Sequence, residues 1–299
     1  MQKTSKIWFN GKFVDWSKAR VHVLNHTIHY GTGAFEGLRF YNTTNGPAIF
    51  QLGRHIDRWL YSAKCIYMKM SYSKKELKEA IINLIKKNKI KSGYIRPIAY
   101  YGHGPLRVNP TGLPIEVAIA CWPWGSYLGD ESAKLKVSRF VRIHPKSTFA
   151  DAKITGHYVN AMLAVTEATS AGYTEAIMLD YKGYVAEGSA ENIFIVKNNV
   201  IYTPPLGTIL AGITRLSIMQ LARDLGYKVK EKKLKLEDVK SADECFLTGT
   251  VAEVSPVGQI DKKDLKTQLG PVTKHLKQEF EKIVKGKNKK YYRWLEFVK

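Results

Sequence analysis

The chain has 299 residues, of which 44% are apolar and 24% are charged, values close to those of ordinary globular proteins. This length is enough for two domains, each with its own core. No apolar run approaches the roughly 18–20 residues of a membrane-spanning helix. Residues 1–10 also lack the basic-then-apolar order of a signal peptide. We therefore expect no membrane partner and no bulk disorder.

The formal net charge is +21. Such an excess is typical of nucleic-acid-binding proteins, or of proteins that attract small anions. Most of the charge is lysine scattered through predicted helices, and aromatic residues are not interleaved with basic ones as in RNA-binding modules. We interpret the charge as a solvated lysine surface and expect no nucleic-acid partner. A basic nucleic-acid-binding protein stays as the distant alternative.

Three cysteines, Cys65, Cys121 and Cys245, are widely spaced and form no Cys-x-x-Cys pair. This usage argues against a disulfide framework and against a structural zinc site. We expect small buried thiols, no metal and a reducing, cytoplasmic compartment.

The N-terminal part is expected to form a mixed sheet with two helices. Asn10-Gly11 and Asn45-Gly46 are dipeptides typical of hairpin turns, and Ser73 to Glu76 has the spacing of a capping box at a helix start. The predicted strands are two within residues 7–14 and others at 38–41, 48–50, 94–101 and 115–122. The predicted helices run from 53 to 69 and from Ser73 onward.

The C-terminal part follows a segment rich in breakers and aromatics, residues 123–129. Strands are predicted near 135–143, 192–197, 200–203, 227–233, 244–247 and 253–260, with a hairpin around Lys182-Gly183. Helices are predicted at 158–170, 213–225 and 271–284, the second ending before Gly226. The order indicates two α/β or α+β domains, which we place at 1–122 and 135–299 with a linker at 123–134.

Two short segments could bind an anion. Gly212-Ile213-Thr214 opens a predicted helix, where free backbone N–H groups attract anions, and Thr248-Gly249-Thr250 offers further N–H and hydroxyl donors. Taken alone, either segment is better explained as a capped helix or a tight turn.

Together with the run from Glu187 to Phe194, these segments resemble the class IV aminotransferases, pyridoxal-phosphate (PLP) enzymes of fold type IV. Within them the chain is similar to the branched-chain amino-acid aminotransferases. The similarity extends from Ile7 to the C-terminus and includes residues 29–39, 94–97, 123–129, 270–273 and Trp294-Leu295. Residues 35–37, 94–97 and 124–127 favour this group over the D-amino-acid aminotransferases and aminodeoxychorismate lyases, the alternatives of the same fold.

The resemblance implies a small mixed α/β domain, a larger domain with a barrel-like sheet, and a site at the domain interface. It implies at least a homodimer, in which a loop of one subunit covers the pocket of the other, or a larger assembly such as a hexamer. The expected activity is a ping-pong exchange of amino groups between leucine, isoleucine or valine and 2-oxoglutarate.

The resemblance also assigns cofactor residues. Lys153 matches the catalytic Schiff-base lysine, Glu187 the carboxylate that faces the pyridine nitrogen, and Tyr158 the partner of the ring 3′ oxygen. A carboxylate beside this nitrogen keeps it protonated, which makes the ring an electron sink. The residues expected to bind the phosphate or border the cofactor are Arg58, Leu210, Gly212, Ile213, Thr214 and Thr250.

For the substrate, the resemblance places the α-carboxylate near the turn formed by Thr250, Val251 and Ala252. An apolar pocket with a polar rim would accept either a branched side chain or the distal carboxylate of glutamate. Its expected lining is Tyr30, Phe35, Gly37, Tyr94, Arg96, Trp124 and Tyr127. His157 departs from the family pattern after the lysine, and the Cys-x-x-Cys switch of some animal relatives is absent from the sequence.

Overall fold

The computed structural model of the chain describes residues 2–125 and 131–298. The chain divides into two compact units. The first unit contains Met1–Gly125, Ala152–His157 and Ile283–Lys299, and the second contains Ser126–Asp151 and Tyr158–Lys282. Two later segments therefore belong to the N-terminal unit, which a division by sequence position does not anticipate. The predicted domain boundary at 123–134 stays a prediction.

The strands are β1 (Lys6–Phe9), β2 (Lys12–Asp15), β3 (Gly33–Phe35), β4 (Leu38–Thr43), β5 (Gly46–Phe50), β6 (Gly93–Tyr101), β7 (Ile115–Trp122), β8 (Ala133–Val137), β9 (Glu175–Leu179), β10 (Val185–Gly188), β11 (Asn192–Lys197), β12 (Val200–Thr203), β13 (Lys228–Glu231), β14 (Glu244–Gly249), β15 (Glu253–Ile260), β16 (Lys263–Asp264) and β17 (Leu295–Phe297). The α-helices are α1 (His26–Tyr30), α2 (Leu52–Cys65), α3 (Lys74–Asn88), α4 (Tyr158–Ser170), α5 (Ile213–Asp224), α6 (Leu236–Lys240) and α7 (Pro271–Val284).

The first unit is built on one sheet with the strand order β17-β5-β4-β6-β7-β1-β2, and β3 pairs with β6. All of its described pairings are antiparallel, so the prediction of a mixed sheet was wrong for this unit. Helices α2 and α3 contact each other and the strands β1, β3 and β7. Their apolar stripes bury Trp59, Leu77 and Ile81 completely, and this burial stabilises the unit.

Local signals place several elements of the first unit correctly. Asn10 and Gly11 have positive φ angles of 45° and 86°, as a hairpin between β1 and β2 requires. The capping box of α3 is also confirmed, because Ser73 and Glu76 exchange side-chain bonds with each other's backbone N–H groups. Helix α2 is shorter than predicted and ends at Cys65, since Tyr67 adopts a left-handed φ of 59° that cannot continue the helix.

The second unit contains a sheet with the order β10-β9-β8-β15-β14-β11-β12-β13, and β16 pairs with β15. This sheet is mixed, because β8 is parallel to both β9 and β15 and β12 is parallel to β13. Strand β8 ends at Val137, so the predicted strand near 135–143 was too long. The hydroxyl of Ser138 donates to Glu167 and accepts from the Phe140 N–H, and these bonds interrupt the regular strand. The N–H groups of Ser138 and Arg142 still donate to the Ile177 and Leu179 carbonyls of β9.

The segment from Gly270 to Thr273 caps the start of α7. The buried Glu244 carboxylate on β14 accepts bonds from the backbone N–H groups of Val272 (3.0 Å) and Thr273 (2.7 Å). A Cβ at Gly270 would lie 2.1 Å from the Glu244 Cδ, so only glycine fits there. The distinctive sequence of this segment is therefore explained by a charge-assisted helix cap.

The burial of the cysteines and the character of the helices can be compared with what the composition predicts. Cys121 and Cys245 are buried, as predicted, whereas Cys65 is half-buried, and burial raises the pKa of the Cys121 thiol to about 12. No helix in the described part of the chain has the length and apolar character that crossing a bilayer requires.

Candidate functional site

The segment that carries Lys153 is fixed on both sides within the first unit. The Lys153 N–H donates to the Ser62 hydroxyl (2.9 Å), and its carbonyl accepts from the Phe35 N–H (3.0 Å). Ser62 is fully buried on α2, and its hydroxyl donates in turn to the carbonyl of Arg58 (2.8 Å). The backbone of Lys153 is thus tied to strand β3 and helix α2, which fixes where its side chain begins.

The Lys153 amine lies in a cluster around the Phe35 ring. Its Nζ is 5.2 Å from the ring centroid, and the Cζ of Arg96 is 4.9 Å from the same centroid. The face of an aromatic ring attracts cations, so Phe35 can hold both groups near one apolar surface. This cluster offers an amine, a guanidinium and an apolar wall, as a site for both aliphatic and acidic side chains requires.

Tyr94 links this cluster to Gly37 and Trp124. Arg96 Nη2 donates to the Tyr94 hydroxyl (3.0 Å), and the rings of Tyr94 and Trp124 have centroids 4.9 Å apart. A Cβ at Gly37 would lie only 1.9 Å from the Tyr94 hydroxyl oxygen. The missing side chain of Gly37 is therefore what lets Tyr94 reach Arg96.

Two other predicted residues of this unit, Arg58 and Tyr30, have different side-chain partners. Arg58 is on α2 and binds the buried Glu36 carboxylate, with Nε 2.5 Å from Oε1. Tyr30 ends α1, is 42% exposed and contacts the rings of His26 and His29. His157, which departs from the family pattern, has its Nδ1 3.3 Å from the carbonyl oxygen of Ala152.

Glu187 is the centre of a polar group in the second unit. It lies buried on β10, and its Oε1 accepts from Arg142 Nε (2.6 Å) while its Oε2 accepts from Asn192 Nδ2 (2.9 Å). The N–H of Leu210 donates to both oxygens, at 3.2 and 3.1 Å. Donors of this kind favour the ionised carboxylate and fix its orientation.

The predicted anion donors start helix α5 in the same unit. Gly212 is the N-cap and forms no side-chain cap bond, and Ile213 and Thr214 are in the first turn. A Cβ at Gly212 would lie 1.9 Å from Asn192 Oδ1, so this glycine allows Asn192 to reach both Glu187 and the Leu210 carbonyl (3.0 Å). Glu187 and the start of α5 are therefore joined through Asn192.

The remaining predicted residues of this unit lie at a helix start and a strand end. Tyr158 begins α4, and Thr250, Val251 and Ala252 form the turn between β14 and β15. Thr248 pairs with Asn192 across the sheet, and its buried hydroxyl has no hydrogen-bond partner among the described residues. Tyr127 lies outside the described residues.

Sequence reasoning missed four residues that hold the predicted ones in place: Glu36, His55, Ser62 and Arg142. Each is distant in sequence from at least one of its partners, as Arg142 is from Glu187, 45 positions away. No local pattern marks these residues. The one available hint was His55, which lies three positions before the predicted Arg58 on the same predicted helix.

Comparisons with known proteins agree on one family. Residues 33–260 match the family model described as amino-transferase class IV. A branched-chain-amino-acid aminotransferase of Pseudomonas aeruginosa is 44% identical over 298 residues, which cover 98% of this chain and 97% of that protein.

Solved structures give the same result. The T.th. branched-chain amino acid aminotransferase complexed with N-(5'-phosphopyridoxyl)-L-glutamate has a TM-score of 0.97 and 43% identity, with all of both chains covered. The branched-chain aminotransferase of Thermoproteus uzoniensis with norvaline has a TM-score of 0.96 and 41% identity, covering 99% of this chain and all of that one.

The mixed α/β fold and these matches define a class IV aminotransferase of fold type IV, an enzyme that uses PLP. Within that class, the chain belongs to the branched-chain-amino-acid aminotransferases. The predicted family, fold class, enzyme type and cofactor are confirmed.

The residues present fit PLP by their chemistry. The second unit offers an oriented carboxylate for a pyridinium nitrogen, N–H donors at the start of α5 for a phosphate, and the orphaned hydroxyl of Thr248. The first unit offers the primary amine of Lys153 for an aldehyde and the guanidinium of Arg58 for a phosphate.

Proposed function

We propose that the enzyme exchanges amino groups between leucine, isoleucine or valine and 2-oxoglutarate in a ping-pong reaction. The observation that supports this best is the Phe35 cluster, where Arg96 and Lys153 both lie within about 5 Å of one apolar ring. An aliphatic side chain can pack on the ring, and a distal carboxylate can bind Arg96. The glutamate adduct of the T.th. relative supports the same use of glutamate.

Lys153 is the proposed catalytic residue. When bound, PLP takes up the amino group and withdraws electrons from the substrate Cα. Lys153 Nζ holds the cofactor and, in its neutral form, moves the proton from Cα. The Ser62 and Phe35 bonds to its backbone keep the amine in range for both tasks.

Other residues orient the cofactor in this proposal. Glu187, held by Arg142 and Asn192, keeps a proton on the ring nitrogen. Tyr158 donates to the ring 3′ oxygen. The phosphate and the edge of the cofactor would be bound by Arg58, Leu210, Gly212, Ile213, Thr214 and Thr250.

Two predicted sets of residues would bind the substrate, one for its α-carboxylate and one for its side chain. The α-carboxylate would bind the backbone N–H groups of the turn that contains Thr250, Val251 and Ala252. The side chain would meet the apolar wall with its polar rim, formed by Tyr30, Phe35, Gly37, Tyr94, Arg96, Trp124 and Tyr127.

A second copy of the chain is the proposed partner, and helix α4 is the proposed contact. Its exposed face carries Val159, Met162 and Leu163, exposed by 56%, 49% and 40%. It also contains no Lys or Arg, although the chain has 47. Because copies with a charge of +21 repel each other, an apolar face without basic residues is where they can associate.

Sedimentation measurements test this contact and give the number of subunits. Met162→Lys adds charge to the centre of the face and should shift the enzyme toward monomers, whereas Ser170→Lys at the helix end is the matched control. An unchanged mass for Met162→Lys would remove α4 from the interface. We further propose a cytoplasmic enzyme, consistent with three cysteines that form no disulfide among the described residues.

The substrate proposal is tested by the absorption spectrum of the PLP-loaded enzyme after adding one amino acid at a time. Conversion to the pyridoxamine form by L-leucine and by L-glutamate, but not by D-alanine, is expected. Conversion by D-alanine and not by L-leucine would contradict the proposed substrates and leave the cofactor assignment intact.

A further inference from the structure

A buried carboxylate binds the arginine that we assign to the cofactor phosphate. Glu36 is fully buried in the first unit, between β3 and β4. Its Oε1 lies 2.5 Å from Arg58 Nε, and its Oε2 lies 2.9 Å from Arg58 Nη2. His55 Nδ1 is 2.8 Å from the same Oε2. His55 and Arg58 lie on one face of α2, three positions apart.

The charge states of this group follow from its surroundings. Burial alone would raise the pKa of Glu36, but the Arg58 guanidinium and His55 outweigh burial and hold the pKa well below its usual range. Burial lowers the pKa of His55, and the charges of Arg58 and Lys153 lower it further against the opposing effect of Glu36. Neutral His55 therefore donates its Nδ1–H to an ionised Glu36.

This arrangement restricts Arg58. A two-point bond along the Nε–Nη2 edge fixes the plane of the guanidinium, and His55 holds the carboxylate that makes it. Because Glu36 occupies the Nε–Nη2 edge, a phosphate would approach Arg58 from the Nη1 side. An arginine that is oriented before binding loses less side-chain freedom when the ligand arrives.

We propose that Glu36 and His55 are positioning residues that orient Arg58 toward the phosphate of PLP. The inference rests on the proposed function of Arg58 as a phosphate ligand. Its distinguishing consequence is selectivity: the pair strengthens the binding of PLP but not of pyridoxal, the same ring without the phosphate.

The test measures dissociation constants of PLP and pyridoxal by spectroscopic titration of the apoenzyme. Glu36→Gln keeps the shape but removes the charge, and it should weaken PLP about tenfold, the scale of one immobilised side chain, with pyridoxal unchanged. His55→Phe keeps a ring without the Nδ1 donor and should weaken PLP by a smaller factor, again selectively. The control Glu296→Gln, at the surface ion pair with Lys78, should change neither.

The outcomes separate the two claims. Equal weakening of both ligands, or no weakening, in both variants would overturn the positioning role; if Glu36→Gln does not fold, His55→Phe decides by the same criterion. Arg58→Ala tests the underlying assignment. If Arg58→Ala weakens PLP selectively and the other variants do not, only the positioning role fails, and if Arg58→Ala is not selective, the assignment of Arg58 fails.

Discussion

Replacing Gly37 by alanine should impair the reaction with glutamate more than the reaction with leucine. The new Cβ would lie 1.9 Å from the hydroxyl oxygen and 2.8 Å from the Cζ of Tyr94. Tyr94 is 4% exposed and packed against Trp122 and Trp124, so it can move only by disturbing them. Its hydroxyl would have to shift by at least 1.1 Å to reach the 3.0 Å below which real contacts are not seen.

The shift would break the bond from Arg96 Nη2 to Tyr94, now 3.0 Å long. A hydrogen bond to a charged group contributes about 1.5–3 kcal/mol, which corresponds to roughly ten- to hundredfold in affinity. This is the upper limit of the effect on a carboxylate that binds Arg96. In the proposed pocket leucine packs on the Phe35 ring and does not bind Arg96, so we expect about a tenfold loss in kcat/KM for L-glutamate and a much smaller loss for L-leucine.

The assay follows the two half-reactions separately in stopped-flow absorbance. Overpacking also costs about 1–3 kcal/mol of stability, but the ratio of the two rates does not depend on the fraction of folded enzyme. Tyr94→Phe is the matched control, because it removes the hydroxyl without adding atoms and should change the ratio in the same direction. In that background Gly37→Ala should have a smaller further effect on the ratio.

An equal loss for both substrates would refute the reasoning, since it would mean that Gly37 affects the site as a whole. An unchanged ratio in Tyr94→Phe would show that the hydroxyl does not orient Arg96.

Three further predictions concern the second unit. Gly212→Ala should displace Asn192 from Glu187 and weaken PLP about tenfold in spectroscopic titration, whereas Gly53→Ala, where a Cβ meets nothing within 4 Å, should not. Glu244→Ala should lower the free energy of unfolding in urea by about 2–3 kcal/mol, because the N–H groups of Val272 and Thr273 lose their acceptor; Glu244→Gln, which keeps an acceptor oxygen, should lose less. Burial raises the pKa of Glu175, so the stability that it contributes is present below the pKa of the unfolded chain and is lost as the pH rises through the folded pKa. Glu175→Gln should therefore remove part of the decline in urea stability that occurs as the pH rises above the usual pKa of a glutamate, and an unchanged decline would contradict this assignment.

Local chemistry determined the elements that the sequence predicted well. The Asn10-Gly11 hairpin and the capping box at Ser73 depend on residues within a few positions of each other, so their signals are visible in the chain. The helices α4 and α7 have the predicted bounds. The errors lie at element ends, where Ser138 bonds to Glu167 after β8 and Tyr67 adopts a left-handed φ after α2, and in the strand directions of the first sheet.

Long-range pairing could not be predicted. Strand β17 pairs with β5, almost 250 positions earlier, with Leu295 opposite Phe50. In the same way nothing local connects Arg142 to Glu187, or Ser62 to Lys153. The resemblance to a family supplied Lys153 and Glu187, and the structure supplied the groups that hold them.

We propose Lys153 as the amine that holds PLP and transfers the proton. The most direct measurement is borohydride reduction of the PLP-loaded enzyme, followed by proteolysis and mass spectrometry of the peptides. We expect a pyridoxyl phosphate group on the peptide that contains Lys153, at Nζ of that residue, and none after treatment of Lys153→Ala. A modified lysine elsewhere, or an unmodified Lys153 peptide from an enzyme that turns over leucine, would contradict it.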